Sequence, residues 1–126
     1  MDRARHIAEL LGYERPVSDV LAALSPYGWD SDEPLGELKP SHLRHVLNRY
    51  VLAELSAKQV EEWTNAIECR DDIAYEPNSL EGETIFELAN PELMQQLDLD
   101  RARRLLLLLS AGAECLREID RQPALI

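Results

Sequence analysis

Basic residues are almost absent from the middle of this chain. Positions 54–100 hold 13 acids against only Lys58 and Arg70, so that segment alone carries −11, equal to the net charge of all 126 residues. Residues 1–53 carry −2 and residues 101–126 carry +2. So one-sided a field repels nucleic acid and anionic membrane and attracts a basic protein. Cysteine is scarce too. Cys69 and Cys115 are the whole complement, too few for a disulfide framework, and they predict a reducing compartment with both thiols as small buried hydrophobes; one bridge between them is the alternative. Long apolar runs are missing: the longest, 105–109, has five residues, against the roughly 20 needed to cross a bilayer. The first residues show no uninterrupted apolar core of the signal-peptide kind. A cytoplasmic protein is expected, with neither nucleic acid nor membrane as partner.

Strand signals are also sparse, since β-branched residues are few and no stretch alternates cleanly. What is present is helical. Ala, Leu, Glu and Arg dominate, and 45% hydrophobic with 29% charged residues is ordinary globular composition. At this length the chain can bury about two-thirds of its unfolded surface without staples. The expected fold is all-α: one domain, an irregular or orthogonal bundle of five to six helices around a leucine-rich C-terminal helix.

The punctuation places the helices. The first covers 3–11 and stops at Gly12, a natural left-handed cap. The second starts near Val17 or Ser18 and stops before Pro26, and the chain from there to Pro40 reads as loop. Pro40 opens a third helix with Leu43, Val46, Leu47 and Tyr50 on one stripe. Ser56 and Gln59 have capping-box spacing, so a fourth helix covers about 57–69, with Val60, Trp63, Ala66 and Ile67 inward and Glu61, Glu62, Asn65 and Glu68 outward. Ser79 caps a fifth through Ile85 and Leu88. The last starts near Asp98 or Asp100 and runs to about 120, apolar on more than one face.

The densest acids, Glu61, Glu62 and Glu68 followed by Asp71, Asp72 and Glu76, form the candidate partner-binding face. A face kept only for solubility normally interleaves both signs, and this one does not. Arg101, Arg103 and Arg104 follow the acidic stretch directly. They sit in the first turn of the last helix, where the dipole disfavours positive charge, so pairing with Asp98, Asp100 or the acidic stretch is expected to hold them. Trp29 and Tyr27 lie off every stripe, with Trp29 expected to cover one end of the bundle.

Catalytic patterns are thin. Glu68 and Asp71 make one Glu-x-x-Asp spacing of the kind that holds magnesium in helical nucleotide hydrolases, but no Glu-x-x-Glu accompanies it. His42 and His45 share a helix without further ligands near them in sequence; His42 is expected at the surface and His45 beside the core stripe. No nucleophile elbow or phosphate loop occurs. No metal or cofactor is expected.

The stretch 55–73, with Ser56, Gln59, Val60, Glu61, Glu62, Trp63, Ile67, Glu68, Asp71 and Asp72, together with Ile85-Phe86-Glu87-Leu88-Ala89-Asn90-Pro91, resembles a group of small acidic all-helical bacterial proteins. Some proteins of that type are immunity proteins that neutralise a toxin from a neighbouring cell. The resemblance carries no functional residue across, but it implies an acidic helical binder. The expectation is therefore a non-enzymatic protein that occludes a basic toxin domain, for instance a nuclease. The alternatives are a metal-dependent nucleotide hydrolase using Glu68 and Asp71, and a helical subunit that self-associates through its leucines.

Overall fold

A computed structural model describes residues 3–27, 33–68, 70–92 and 96–121, with 111–121 as helical backbone alone. Six α-helices occur among the described residues: α1 (Arg3–Leu11), α2 (Val17–Leu24), α3 (Pro40–Val51), α4 (Ala57–Glu68), α5 (Leu80–Ala89) and α6 (Leu99–Arg121). The fold is all-α. A 3-10 turn, Ser25–Tyr27, extends α2, and two residue pairs, β1 (Gly36–Glu37) and β2 (Ile73–Ala74), run parallel with Gly36 opposite Ile73 and Glu37 opposite Ala74. That short ladder joins two segments that carry no strand signal, the loop before Pro40 and the connection between the fourth and fifth helices. Two residues leave no periodicity in a sequence, so nothing announced it.

The helix starts follow local chemistry. The Ser56 backbone N–H donates to Gln59 Oε1 at 2.8 Å while the Gln59 N–H donates to Ser56 Oγ at 3.1 Å, a reciprocal capping box at the head of α4. Ser79 Oγ accepts from the Gly82 N–H at 3.1 Å to cap α5. Asp98 does the same for α6, its Oδ1 accepting from the Arg101 N–H at 2.8 Å. At α3, Pro40 sits in the first turn, where its missing N–H is harmless, and His42 Nδ1 accepts from the Lys39 N–H at 3.0 Å. His42 is accordingly half-buried and His45 exposed, the reverse of their expected placement. The left-handed residue after α1 is Tyr13 (φ 49°), not Gly12. Arg49 supports it by donating from Nη1 to the Tyr13 carbonyl at 3.1 Å and lying over its ring 5.2 Å from the centroid.

Packing makes one core. α3 lies against α6 and α4 against α5, with α1 on α2 and α2 on α4. Tyr50 Oη reaches the Leu97 carbonyl and Arg44 Nη1 the Leu109 carbonyl, so α3 and α6 run antiparallel. Trp63 is the largest fully buried side chain among the described residues, and its Nε1–H donates to the Leu10 carbonyl at 2.7 Å, joining α4 to the end of α1. β1 presses on α1 closely enough that a Cβ on Gly36 would meet Ile7 Cγ2 at 2.8 Å. α6 buries Ala102, Leu105 and Leu109 but leaves Leu107 69% and Leu108 54% exposed. Its leucine run is thus one-sided, with the outer leucines facing solvent.

Candidate functional site: an acidic face with an aromatic groove

Five of the six predicted face residues separate into three groups. On α4, Glu61 and Glu68 are seven residues apart and so fall about 20° apart around the axis, roughly 10 Å along it. Both flank α5 and are half-buried. Glu62 stands about 100° further round, exposed and near Tyr13, whose pKa is raised by burial against the opposing pull of Arg49, with Glu62 adding to the rise. Asp71 and Glu76 are exposed on either side of β2.

Asp72 belongs to none of these. Its side chain is 0% exposed, and Arg70 grips it in a two-point pair, Nε to Oδ1 at 2.8 Å and Nη2 to Oδ2 at 2.9 Å. Arg3, from the far end of the sequence, adds a bond from Nε to Oδ2 at 3.1 Å. Burial alone would push the Asp72 carboxyl up, but the Arg70 guanidinium, then that of Arg3, outweigh it and hold the carboxyl below its ordinary range. Asp72 therefore contributes no outward charge, and its place in the predicted face is corrected: it is an internal anchor. Its carbonyl also accepts from the Leu35 and Gly36 N–H groups at 2.7 and 3.3 Å, fixing β1 beside it.

Arg101, Arg103 and Arg104 leave the predicted acids open. Arg101 is buried and reaches Glu87 on α5 at 3.1 Å, within the acidic stretch as expected. Arg103 and Arg104 are exposed and make no ion pair among the described residues. Nor do Glu61, Glu62, Glu68, Asp71, Glu76 or Glu83 have an ion-pair partner among the described residues. Among the described residues this surface keeps its charge.

One part of it has shape. Glu68 from the end of α4, Tyr75 and Pro77 from the β2 exit, and Gly82, Glu83, Phe86 and Glu87 from α5 line a groove of about 390 Å³. Positions 83, 86 and 87 share one helical face by their three- and four-residue spacing. Gly82 permits the groove's geometry. A Cβ there would run into the Glu76 carbonyl oxygen and stand 2.8 Å from the Pro77 backbone, so only glycine lets α5 start so near the preceding turn. Phe86 is 47% exposed, whereas Ile85, Leu88 and Ala89 on the same helix are buried. Sequence reasoning gave neither Phe86 nor Glu83 a place in the face; their signal was the Glu-x-x-Phe-Glu run, which places an aromatic between two acids. At the other end of α4, Glu61 shares a smaller cleft with Lys58, Val60, Leu88, Pro91 and Leu97.

Metal chemistry gains no support from the geometry. Among the described residues no group of three or more His, Cys, Asp or Glu side chains converges as a metal site. Asp72, the carboxylate next in sequence to Asp71, is committed to two guanidiniums. Among the described residues no helix is long and apolar enough to cross a membrane. Trp29 and Cys69, and the side chain of Cys115, lie outside the described residues. Tyr27 ends the 3-10 turn and is 40% exposed. No family model, curated protein or solved structure matches the chain.

Proposed function

We propose that this is a non-enzymatic binding protein that docks a basic protein on the α4–α5 face, most concretely an immunity protein that occludes a basic toxin domain such as a nuclease. The observation that carries the reading is the retained charge. Glu68 and Glu83 line an open groove, and Asp71 and Glu76 are exposed on the segment around β2, with no ion pair to any of the four among the described residues, although Arg103 and Arg104 on α6 are exposed. Charge of this kind raises encounter rates with an opposite partner by about 10–10³-fold at low salt. Desolvated contacts inside the groove then set the rate of dissociation.

The test is co-expression with the product of the adjoining gene, the arrangement normal for a toxin and its immunity protein. The expected result is restored growth and a co-purified complex that dissociates at high salt. Reversing Glu61, Glu62, Glu68 and Asp71 to Lys should abolish both while leaving helical content unchanged. Intact binding by that variant removes the face from the function.

Self-association is the second reading, favoured by the exposure of Leu107 and Leu108. A second copy covering them would bury apolar area at about 25 cal/mol per Å². Sedimentation equilibrium decides it, since a dimer's mass depends on concentration and a monomer's does not.

A further inference from the structure

We infer that the groove between α4 and α5 is an arginine socket, taking one guanidinium side chain from the basic partner. This rests on the binding reading above and names the group that reading requires. Three observations meet there. Phe86 presents nearly half its surface at a place where the neighbouring apolar residues of α5 are buried, so an aromatic surface is open to a ligand. Glu68 and Glu83 come from different helices and have no ion-pair partner among the described residues, while Glu87 is already taken by Arg101. The volume of about 390 Å³ falls within the roughly 300–1,000 Å³ of clefts that hold a single small ligand.

Charge complementarity fixes the sign of the occupant, and the aromatic wall fixes its type. Guanidinium is planar, weakly hydrated and fork-shaped, so it can lie against a ring while its edge N–H groups donate to carboxylates. An ammonium is a strongly hydrated point charge that gains less from the ring. The Tyr75 and Pro77 side of the groove suits the aliphatic stem. Arg101 on Glu87 already shows the same pairing chemistry at the rim.

The test titrates the full-length protein with two blocked peptides, hexa-arginine and hexa-lysine, at low salt, followed by calorimetry and by amide and Phe86 ring shifts. Hexa-arginine should bind several-fold tighter than hexa-lysine and shift the Phe86 ring. Phe86→Ala and the double change Glu68→Gln with Glu83→Gln should each weaken hexa-arginine by about five-fold or more. Glu62→Gln, on the other side of α4, should not change that preference. Far-UV circular dichroism checks that Phe86→Ala is folded, as expected for an exposed position; Phe86→Leu, which keeps apolar bulk without the ring, should lose the arginine preference as well. Equal binding of both peptides, insensitive to Phe86 and to Glu68 with Glu83, overturns the socket and leaves the acidic face standing. Binding of neither peptide overturns both.

Discussion

Arg70 and Asp72, two residues apart, close on each other inside the protein: Nε meets Oδ1 at 2.8 Å and Nη2 meets Oδ2 at 2.9 Å, with the carboxylate fully buried. Arg70 is the only arginine between positions 54 and 100. Its guanidinium is committed to a buried carboxylate. The pair also receives Arg3 from α1, which ties the start of the chain to the turn before β2.

Asp72→Ala should therefore be among the more damaging single changes. It leaves the Arg70 and Arg3 guanidiniums facing a site without its carboxylate, and breaking a buried ion pair from one side costs about 3–5 kcal/mol. Urea titration followed by circular dichroism measures the loss. The double change Arg70→Met with Asp72→Leu should recover much of it, because apolar groups of similar volume replace a buried pair at little cost.

Acid should weaken the fold in two windows. His42 has its pKa lowered by burial first, with the charges of Lys39 and His45 adding to it. A histidine favoured in its neutral form contributes stability that is present above its ordinary value of 6.5 and lost as pH falls through the lowered folded value. The same sign holds for Asp72: its contribution is complete above the ordinary 3.8 and disappears as pH drops through the depressed folded pKa. Stability measured from pH 8 downward should show an earlier, shallow fall absent from His42→Gln. A later, steeper fall should be absent from Asp72→Asn.

Gly82→Ala should cost about 1–3 kcal/mol, the range for overpacking. An exposed helix glycine normally gains from that change, so the sign separates steric conflict from propensity. The new methyl would press on the Glu76 carbonyl and the Pro77 backbone. Shifts of the Tyr75 and Phe86 signals beyond those near the substitution would report a groove that has opened.

Glu68→Gln with Glu83→Gln should leave the melting temperature unchanged or slightly raised at low salt. Neither carboxylate has an ion-pair partner among the described residues, and removing like charges relieves repulsion worth a few tenths of a kcal/mol. The gain should vanish at high salt. A clear drop in melting temperature would mean that these acids hold the fold together.

Trp63→Phe should destabilise by about 0.5–1.5 kcal/mol for the hydrogen bond to Leu10, plus a contribution from the unfilled volume. Trp63→Ala should cost more, about 3–5 kcal/mol. Comparing the two by urea unfolding separates the bond from the packing.

Much of the helical frame was legible in the residues, because capping chemistry is local: Ser56 with Gln59, and Ser79 alone, mark the starts of α4 and α5. The inward stripe of Val60, Trp63, Ala66 and Ile67 followed from the helical period. The misplaced features are those decided at long range. Asp72 reads as one more outward acid until Arg3, 69 residues away, is brought beside it; the only local hint was Arg70 standing alone among acids. Glu61, Glu62 and Glu68 all avoid the core, yet which helix each one flanks depends on where α5 and α1 come to rest. Tyr13 takes the left-handed conformation that Gly12 was expected to take, a choice supported by Arg49 from α3, again a contact that local pattern does not encode.

The parallel ladder of β1 and β2, small as it is, determines how the groove meets its ligand. The Leu38 N–H donates to the Ala74 carbonyl at 3.0 Å, just beyond the two paired residues. Tyr75, Glu76 and Pro77 therefore emerge from backbone that is already stitched in place. A rim set before arrival sacrifices little freedom when an arginine enters, so more of each contact's strength survives as affinity. Loosening that seam at Gly36 or Ala74 should blunt recognition from a distance, with every groove residue still present.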